Sequence, residues 1–155
     1  MVVPADVFEP DLIITAEEGT DLVMVVEVKM CPTHLAETES QLRQYMLAMR
    51  CPFGLLATPK TLGLYDDQYL SASEDSVKLI GEYAAPPDWA IWEQRRDGAQ
   101  ARGGFEDAVQ GWLERLKTES GMRSLPPDFR EAAEEYLVPS LLSQGAVRAA
   151  HPHAA

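Results

Sequence analysis

The segment Asp21-Leu-Val-Met-Val-Val-Glu-Val-Lys29 decides the fold class of this chain. It is a nearly continuous apolar run rich in β-branched residues, and its length suits a strand buried on both faces of a sheet. Because side chains alternate along a strand, Glu27 and Lys29 should emerge together on one face. The segment therefore predicts a central strand with two charged groups at its C-terminal end.

A second apolar run lies just upstream and predicts a hairpin with this strand. Residues 11–15 form a short strand candidate, and residues 17–21 are a polar, glycine-containing connection of the kind found in hairpins. Pairing the two strands through this connection brings Asp11 near the level of Glu27 and Lys29. The sequence therefore predicts two acids and a lysine at one end of a two-stranded unit.

The segment that follows predicts a crossover helix and two more strands. A helix is expected over residues 35–50, and the apolar runs at 53–58 and 62–65 are expected to be strands separated by a turn at 59–61. The expected apolar stripe of the helix consists of Leu35, Leu42, Tyr45, Met46 and Met49. A strand, helix, strand order favours a right-handed crossover in a mixed sheet flanked by helices, which is an α/β fold.

Two polar residues of this helix, Gln41 and Tyr45, are four positions apart and share one face, which could look down on the carboxylate end of the sheet. Structural alternatives remain open for both. The stretch Thr38-Glu39-Ser40-Gln41 fits a capping box, in which case the helix begins later. Tyr45 could be a core residue whose hydroxyl finds one partner. In the same way, Glu27 and Lys29 could be a solvated strand end without any chemistry.

In these residues the chain resembles the PD-(D/E)xK phosphodiesterase superfamily of restriction-endonuclease-like fold, in particular the N-terminal nuclease domain of type I restriction enzyme motor subunits and RecB-like nucleases. The resemblance rests on Pro10-Asp11, Glu27-Val28-Lys29, Gln41 and Tyr45, and more loosely on residues 53–58 and 64–66. It implies a metal-dependent nuclease that hydrolyses DNA. It also implies that Asp11, Glu27 and the Val28 carbonyl bind Mg²⁺ or Mn²⁺. Lys29 would then be the catalytic lysine, with Gln41 and Tyr45 as auxiliary residues that contact nucleic acid.

Elementary chemistry is consistent with this assignment. Mg²⁺ prefers hard oxygen ligands, keeps several waters and usually takes only one or two protein carboxylates. An ammonium group such as that of Lys29 can steady the attacking hydroxide and the charge that develops on the phosphoryl group. The alternative is a catalytically inactive module of the same fold that acts in protein–protein interaction.

The start of the chain departs from the family pattern. The family core normally begins with a helix and a first strand before the metal-binding acid, whereas only ten residues precede Asp11. Residues 1–8 can supply at most a short strand. We therefore expect a core that is N-terminally truncated, a remnant with an incomplete sheet, or a sheet that borrows a strand from a second copy, since an open edge favours a homodimer.

The charge of the chain argues against extensive contact with DNA. Thirteen Lys and Arg residues stand against 25 Asp and Glu residues, which gives a formal net charge of −12. A protein that holds DNA through many phosphates usually presents a basic surface. We expect DNA binding to be weak or assisted by partners in a larger restriction or repair complex. The local basic cluster of Arg95, Arg96 and Arg102 is typical of a solvated loop.

The remaining expectations concern boundaries and surroundings. We expect an α/β core over residues 1–83 whose last strand spans 78–83, a loop or linker over 84–103, a helical extension packed on the core over 104–145, and a disordered tail over 146–155. Trp112 is expected to anchor the extension. Without a signal peptide or an 18-residue apolar span, we expect a cytoplasmic protein with no membrane contact. The cysteines Cys31 and Cys51 should be free thiols, and the histidines His34, His151 and His153 form no convincing metal set.

Overall fold

The structure, a computed structural model, describes residues 11–15, 22–30, 35–71, 73–92, 99–116, 118–123, 125–137 and 146–149. The strands are β1 (Leu12–Thr15), β2 (Leu22–Val28), β3 (Phe53–Ala57), β4 (Thr61–Asp67), β5 (Val77–Ala84) and β6 (Ala146–Ala149). The helices are α1 (Leu35–Met49), α2 (Ala99–Arg115), α3 (Glu119–Arg123) and α4 (Pro127–Ala132), which continues into a π-helical turn (Ala133–Leu137). Short 3₁₀ turns cover Glu74–Ser76 and Pro87–Trp92.

The strands form one mixed six-stranded sheet in the order β5-β4-β3-β2-β1-β6. β1 pairs antiparallel with β2, and β2 pairs parallel with β3 across the helix α1. The predicted antiparallel pairing of β1 with β2, the connection of two parallel strands through α1 and the α/β class are therefore confirmed. The connecting residues 16–21 lie outside the described part of the chain.

Alternate residues of the central strand β2 face two different hydrophobic clusters. Met24, Val26 and Val28 belong to a large cluster with the side chains of α2 and α4, whereas Val25 belongs to a smaller cluster with Leu42 of α1. We call these two sides of the sheet the aromatic face and the α1 face. Because Glu27 is two residues from Val25, it lies on the α1 face.

The helix α1 spans the predicted residues, but its buried stripe differs from the predicted one. Leu42 and Met46 are buried as expected, whereas Leu35 and Met49 are exposed. Thr38 is buried instead, because it lies one turn before Leu42 on the same side of the helix. Since α1 begins at Leu35, Thr38 is inside the helix, and the capping-box alternative for Thr38 and Gln41 is wrong.

The aromatic face is covered by the segment that follows β5. Residues 84–103 were expected to be a loop or linker, but Trp89 in the 3₁₀ turn is fully buried, and α2 begins at Ala99 rather than at residue 104. Trp112 stacks on Phe129 at 5.7 Å between ring centroids and meets Trp89 edge-on at 5.2 Å. Trp112 is therefore a core anchor, as predicted, and the helical extension packs on the sheet.

The edge beside β1 is occupied by the chain itself. β6 pairs antiparallel with β1 along its whole length, from Leu12 opposite Ala149 to Thr15 opposite Ala146. The predicted disordered tail is therefore wrong for residues 146–149, and its other residues lie outside the described ranges, as do residues 1–8. The β1 edge that was expected to be open for a second copy is covered by this C-terminal strand.

Candidate functional site

Asp11 is fixed at the end of the β1–β2 ladder by two hydrogen bonds to neighbouring residues of β2. Its backbone N–H donates to the Val26 carbonyl at 3.1 Å, and its Oδ2 accepts the Val28 N–H at 2.7 Å. Glu27 is the residue between these two partners. Asp11 therefore lies beside Glu27, as the predicted hairpin required, and its carboxylate also completes the backbone hydrogen bonding of β2.

Both predicted acids are buried. The exposed fraction is 6% for Asp11 and 3% for Glu27, and both side chains make further interactions. Like charges on neighbouring strands repel each other, and this repulsion is stronger where water is excluded. A cation bound between the two carboxylates would offset it.

Lys29 supplies a positive charge at the same end of β2. Alternation places it on the α1 face with Glu27, and its backbone N–H donates to the Ala57 carbonyl at 2.9 Å. Its side chain is half-buried, and its ammonium makes no ion pair or hydrogen bond with another residue in the described part of the chain. The Lys29 side chain thus starts from the same end of β2 as the two acids, and its donors are uncommitted to described residues.

The position of α1 follows from its contact with a glycine of β3. Gly54 pairs with Val25 of β2, and a Cβ atom built on Gly54 would lie 3.5 Å from Leu42 and closer still to Met46. Glu27 is two residues further along, about 6.6 Å, which corresponds to roughly one helical turn towards the start of α1. Thr38 and Gln41 are therefore the residues of α1 at the level of Glu27.

The two flanks of α1 face different strands. Glu39 and Arg43 contact Tyr65 of β4, and Gln41 lies roughly 200° around the helix from Glu39, because successive residues advance by about 100°. The flank with Gln41 and Tyr45 therefore faces β1, the strand that follows Asp11.

Gln41 and Tyr45 differ in how closely they approach the acids. Gln41 is half-buried at the level of Glu27, on the side of Asp11. Tyr45 packs one turn further on, against the hydrophobic cluster that includes Val25. Gln41 thus lies on the site flank, whereas Tyr45 is half-buried beside the core of the α1 face.

A polar network connects the other flank of α1, which carries Glu39 and Arg43, to β4. The Tyr65 hydroxyl donates to Glu39 Oε2 at 2.6 Å, and Arg43 Nη2 lies 3.4 Å from Glu39 Oε1. Burial and then the hydrogen bond to Glu39 raise the pKa of Tyr65 above its usual range, so the hydroxyl remains a donor at neutral pH. The network ties α1 to β4 across 26 positions of sequence. Neither this network nor the buried Thr38 was predicted, although the position of Thr38 one turn before Leu42 was a usable signal.

The donor set can be compared with what a divalent cation needs. No three His, Cys, Asp or Glu side chains within the described ranges are grouped so that they could hold a metal ion. Asp11 and Glu27 therefore form a set of two carboxylates, which fits Mg²⁺ with several retained waters. The Val28 N–H points towards Asp11, and the Val28 carbonyl shares that side of the strand, because both groups of one residue point the same way in extended backbone.

Cys51 and Arg102 lie in the described part of the chain and outside this site. Cys51 is a buried free thiol that donates to the Phe53 carbonyl, and burial raises its pKa to about 12. Arg102 lies within α2 rather than in a loop, whereas Arg95 and Arg96 lie outside the described ranges. Cys31 and the three histidines are also outside them.

Comparison of the chain with protein-family models, with curated proteins and with solved structures finds no match. Among the described helices, none has the length and apolar character needed to cross a membrane.

Proposed function

We propose that this chain is a divalent-metal-dependent phosphodiesterase of restriction-endonuclease-like fold that hydrolyses DNA at a site formed by Asp11, Glu27 and Lys29. The observation that carries the proposal is a pair of hydrogen bonds: the Asp11 N–H donates to the Val26 carbonyl, and the Val28 N–H donates to Asp11 Oδ2. They hold one buried carboxylate beside another at the end of β2, where the α1 face also receives Lys29. Costly buried charges of this kind are typical of functional sites.

The chain's own residues divide the work as follows. Asp11 and Glu27 would hold Mg²⁺ or Mn²⁺, with the Val28 carbonyl as a further oxygen ligand. Such an ion, when bound, lowers the pKa of a coordinated water and polarises the phosphoryl oxygens. Lys29 stabilises the negative charge on the attacking and phosphoryl oxygens through its ammonium donors. Gln41, at the level of Glu27, orients the phosphate backbone from the helix side, and Tyr45 supports the helix from the core.

The net charge of −12 limits how DNA is held. The sequence has no basic stretch that could follow a phosphate backbone over many positions, so affinity comes from the site itself and from a partner protein. Binding should therefore be weak for the isolated chain, with a shallow dependence on salt, because few counterions are released.

A specific observation favours a second candidate function. The bond from the Val28 N–H to Asp11 Oδ2 gives Asp11 a structural role that needs no metal ion. A noncatalytic module that keeps this carboxylate to close the β1–β2 ladder, and acts by binding a protein partner, would show the same contact.

Metal binding and DNA cleavage separate these two functions. We would titrate the wild type with Mn²⁺ by calorimetry and assay cleavage of single-stranded and duplex DNA, alongside Glu27→Gln and Lys29→Ala. The matched controls are Glu82→Gln and Lys78→Ala, two exposed charges on β5. Thermal unfolding of every variant would confirm that each is folded.

The proposal expects metal binding to be lost in Glu27→Gln and kept in Lys29→Ala, with cleavage lost in both and unchanged in the controls. A metal-binding protein that cuts no DNA would reject the substrate class. A wild type that neither binds Mn²⁺ nor cuts DNA would reject the phosphodiesterase and leave the interaction module as the better account.

A further inference from the structure

A surface pocket of about 360 Å³ lies on the molecule well away from the proposed phosphodiesterase site. Glu27 is level with Gly63 of β4 through the strand pairing, and Asp67 is four residues further along β4, or roughly 13 Å. The pocket is formed where α1 ends and β4 ends. Its lining residues are Leu47, Arg50, Asp67, Tyr69 and Ser71.

Two of the lining residues have an unusual backbone conformation. Arg50 and Tyr69, with φ of 54° and 56°, are the two non-glycine residues with positive φ in the described part of the chain. Arg50 ends α1 in a Schellman motif, in which the Cys51 N–H donates to the Met46 carbonyl at 2.8 Å. Glycine is the usual residue there, because any side chain costs free energy in this conformation. Left-handed residues other than glycine are enriched at ligand sites.

Hydrogen bonds within the segment that contains Asp67 and Tyr69 stabilise this side of the pocket. Asp67 Oδ1 accepts the Tyr69 N–H at 2.9 Å and the Ser76 hydroxyl at 2.7 Å, and Ser76 Oγ accepts the Leu70 N–H at 2.9 Å. Asp67 is buried, with 5% of its surface exposed. One carboxylate oxygen therefore holds the loop in place, and the other oxygen accepts no hydrogen bond from a described residue.

The pocket contains opposite charges that do not pair with each other. Neither the Arg50 guanidinium nor the Asp67 carboxylate makes an ion pair with a described residue. A bare anion would be repelled by Asp67, by the adjacent Asp66 and by the negative end of α1, whereas a bare cation would be repelled by Arg50. The best complement is a small molecule that carries both charges.

We propose that this pocket binds a free α-amino acid. The ligand's carboxylate takes a bidentate bond from Arg50, and its ammonium group lies between Asp67 and the face of the Tyr69 ring. Its side chain packs against Leu47, and the Ser71 hydroxyl is a further donor to the carboxylate. A volume of about 360 Å³ is at the small end of the range for ligand pockets, which suits a molecule of this size.

The helix dipole offers a simpler account of Arg50, because a cation at the end of α1 is favourable without any ligand. That account explains the charge of Arg50 but not why Tyr69, on a different segment, also lines the pocket in a left-handed conformation. A binding site explains both, because the side chains of Arg50 and Tyr69 each contact the ligand there.

The test is ligand-observed saturation-transfer NMR of the wild type with each of the twenty standard L-amino acids at millimolar concentration, followed by calorimetry with the strongest. The key variant is Arg50→Gly, which removes the guanidinium. Glycine also adopts the left-handed conformation without the steric cost of a side chain, so lost binding would not reflect unfolding. The matched control is Arg123→Gln, which removes an equal charge from an exposed position on α3. The strongest ligand is also tested as its N-acetyl and methyl ester derivatives.

We expect at least one amino acid to bind, and Arg50→Gly to weaken it by about tenfold or more, as for the loss of a charged hydrogen-bonding partner. Arg123→Gln should bind as the wild type does, and both derivatives should bind more weakly. The proposal is overturned if no amino acid binds, if Arg50→Gly binds equally well, or if blocking the amino or the carboxyl group has no effect. None of these outcomes depends on nuclease activity.

Discussion

The aromatic face and the α1 face of the sheet receive different kinds of residue from the same strands. On the aromatic face, the described side chains that β1 to β4 bury are apolar, and the four buried rings of Trp89, Phe105, Trp112 and Phe129 pack over them. On the α1 face, the strands contribute Gly54, the buried Tyr65 and, at one end, Glu27. Of the helices within the described ranges, one covers this face and three cover the other.

The residues that stabilise the fold and the residues of the proposed sites therefore lie on different faces of the sheet. A large apolar cluster with T-shaped and stacked rings supplies most of the hydrophobic free energy of folding. The α1 face can then carry buried charges at one end and two left-handed residues at the other, each of which costs free energy. The contrast predicts that substitutions on the aromatic face act on folding, whereas those on the α1 face act mainly on the sites.

The largest expected effect is that of Trp112→Ala. Trp112 is buried between Trp89 and Phe129, so its removal leaves a cavity that the aromatic face cannot fill, and the free energy of unfolding should fall by about 3–5 kcal/mol. Urea unfolding measures this value. The control Trp92→Ala removes a half-buried ring at the edge of the same cluster and should cost clearly less. Equal losses would mean that the cluster is not the main source of stability.

A smaller effect is expected where the α1 face meets β1. Asp11→Ala leaves the buried Val28 N–H without its acceptor and should cost about 1–3 kcal/mol of unfolding free energy in the presence of EDTA. Asp11→Asn keeps an acceptor oxygen and should retain most of that stability while weakening Mn²⁺ binding. If Asn were as destabilising as Ala under these metal-free conditions, the carboxylate charge rather than the hydrogen bond would hold the strand end.

The parts of the fold that were predictable are those encoded locally. The period-two and three-and-four patterns of residues 11–65 predicted β1 to β4 and α1, and the hairpin placed Asp11 beside Glu27, because each of these features depends on near neighbours. β6 was missed because its four residues carry no pattern of their own and pair with a strand more than 130 positions away. The burial of Trp89 was missed because it depends on α2 packing over a segment rich in turn signals.

The features of the candidate sites also divide into those that a local sequence pattern predicts and those that depend on the packing of distant elements. The order of Asp11, Glu27 and Lys29 was visible in the sequence, whereas the bond from Tyr65 to Glu39 joins two elements whose relative placement no local pattern specifies. The pocket at Arg50 and Tyr69 was invisible for another reason. Neither residue type suggests a positive φ, so no pattern in the sequence indicates the turn that brings them together.

A third prediction concerns the pH dependence of the α1 face. Burial raises the pKa of the Cys51 thiol from 9.0 to about 12, so the folded state retains a proton that the unfolded chain releases. The protonated thiol therefore contributes to the free energy of unfolding. This contribution is fully present below pH 9 and is lost as pH rises from 9 towards 12, by about 1.4 kcal/mol per pH unit. Urea unfolding of wild type and Cys51→Ala at pH 8 to 11 measures the difference. Parallel curves for the two proteins would show that Cys51 is not the titrating group.

The smallest expected effect is an increase in the free energy of unfolding, and it concerns Arg50 at the C-terminal end of α1. Arg50→Gly should raise the free energy of unfolding by about 1 kcal/mol, because glycine adopts φ of 54° without the steric cost that a side chain carries. The gain is reduced by the lost attraction between the guanidinium and the helix end, and by the greater freedom of glycine in the unfolded chain. Comparison with Arg50→Asn, which tolerates the same conformation, separates the backbone contribution from the entropy of glycine. If both variants were less stable than the wild type, Arg50 would be retained for folding, and its left-handed conformation would no longer point to a ligand.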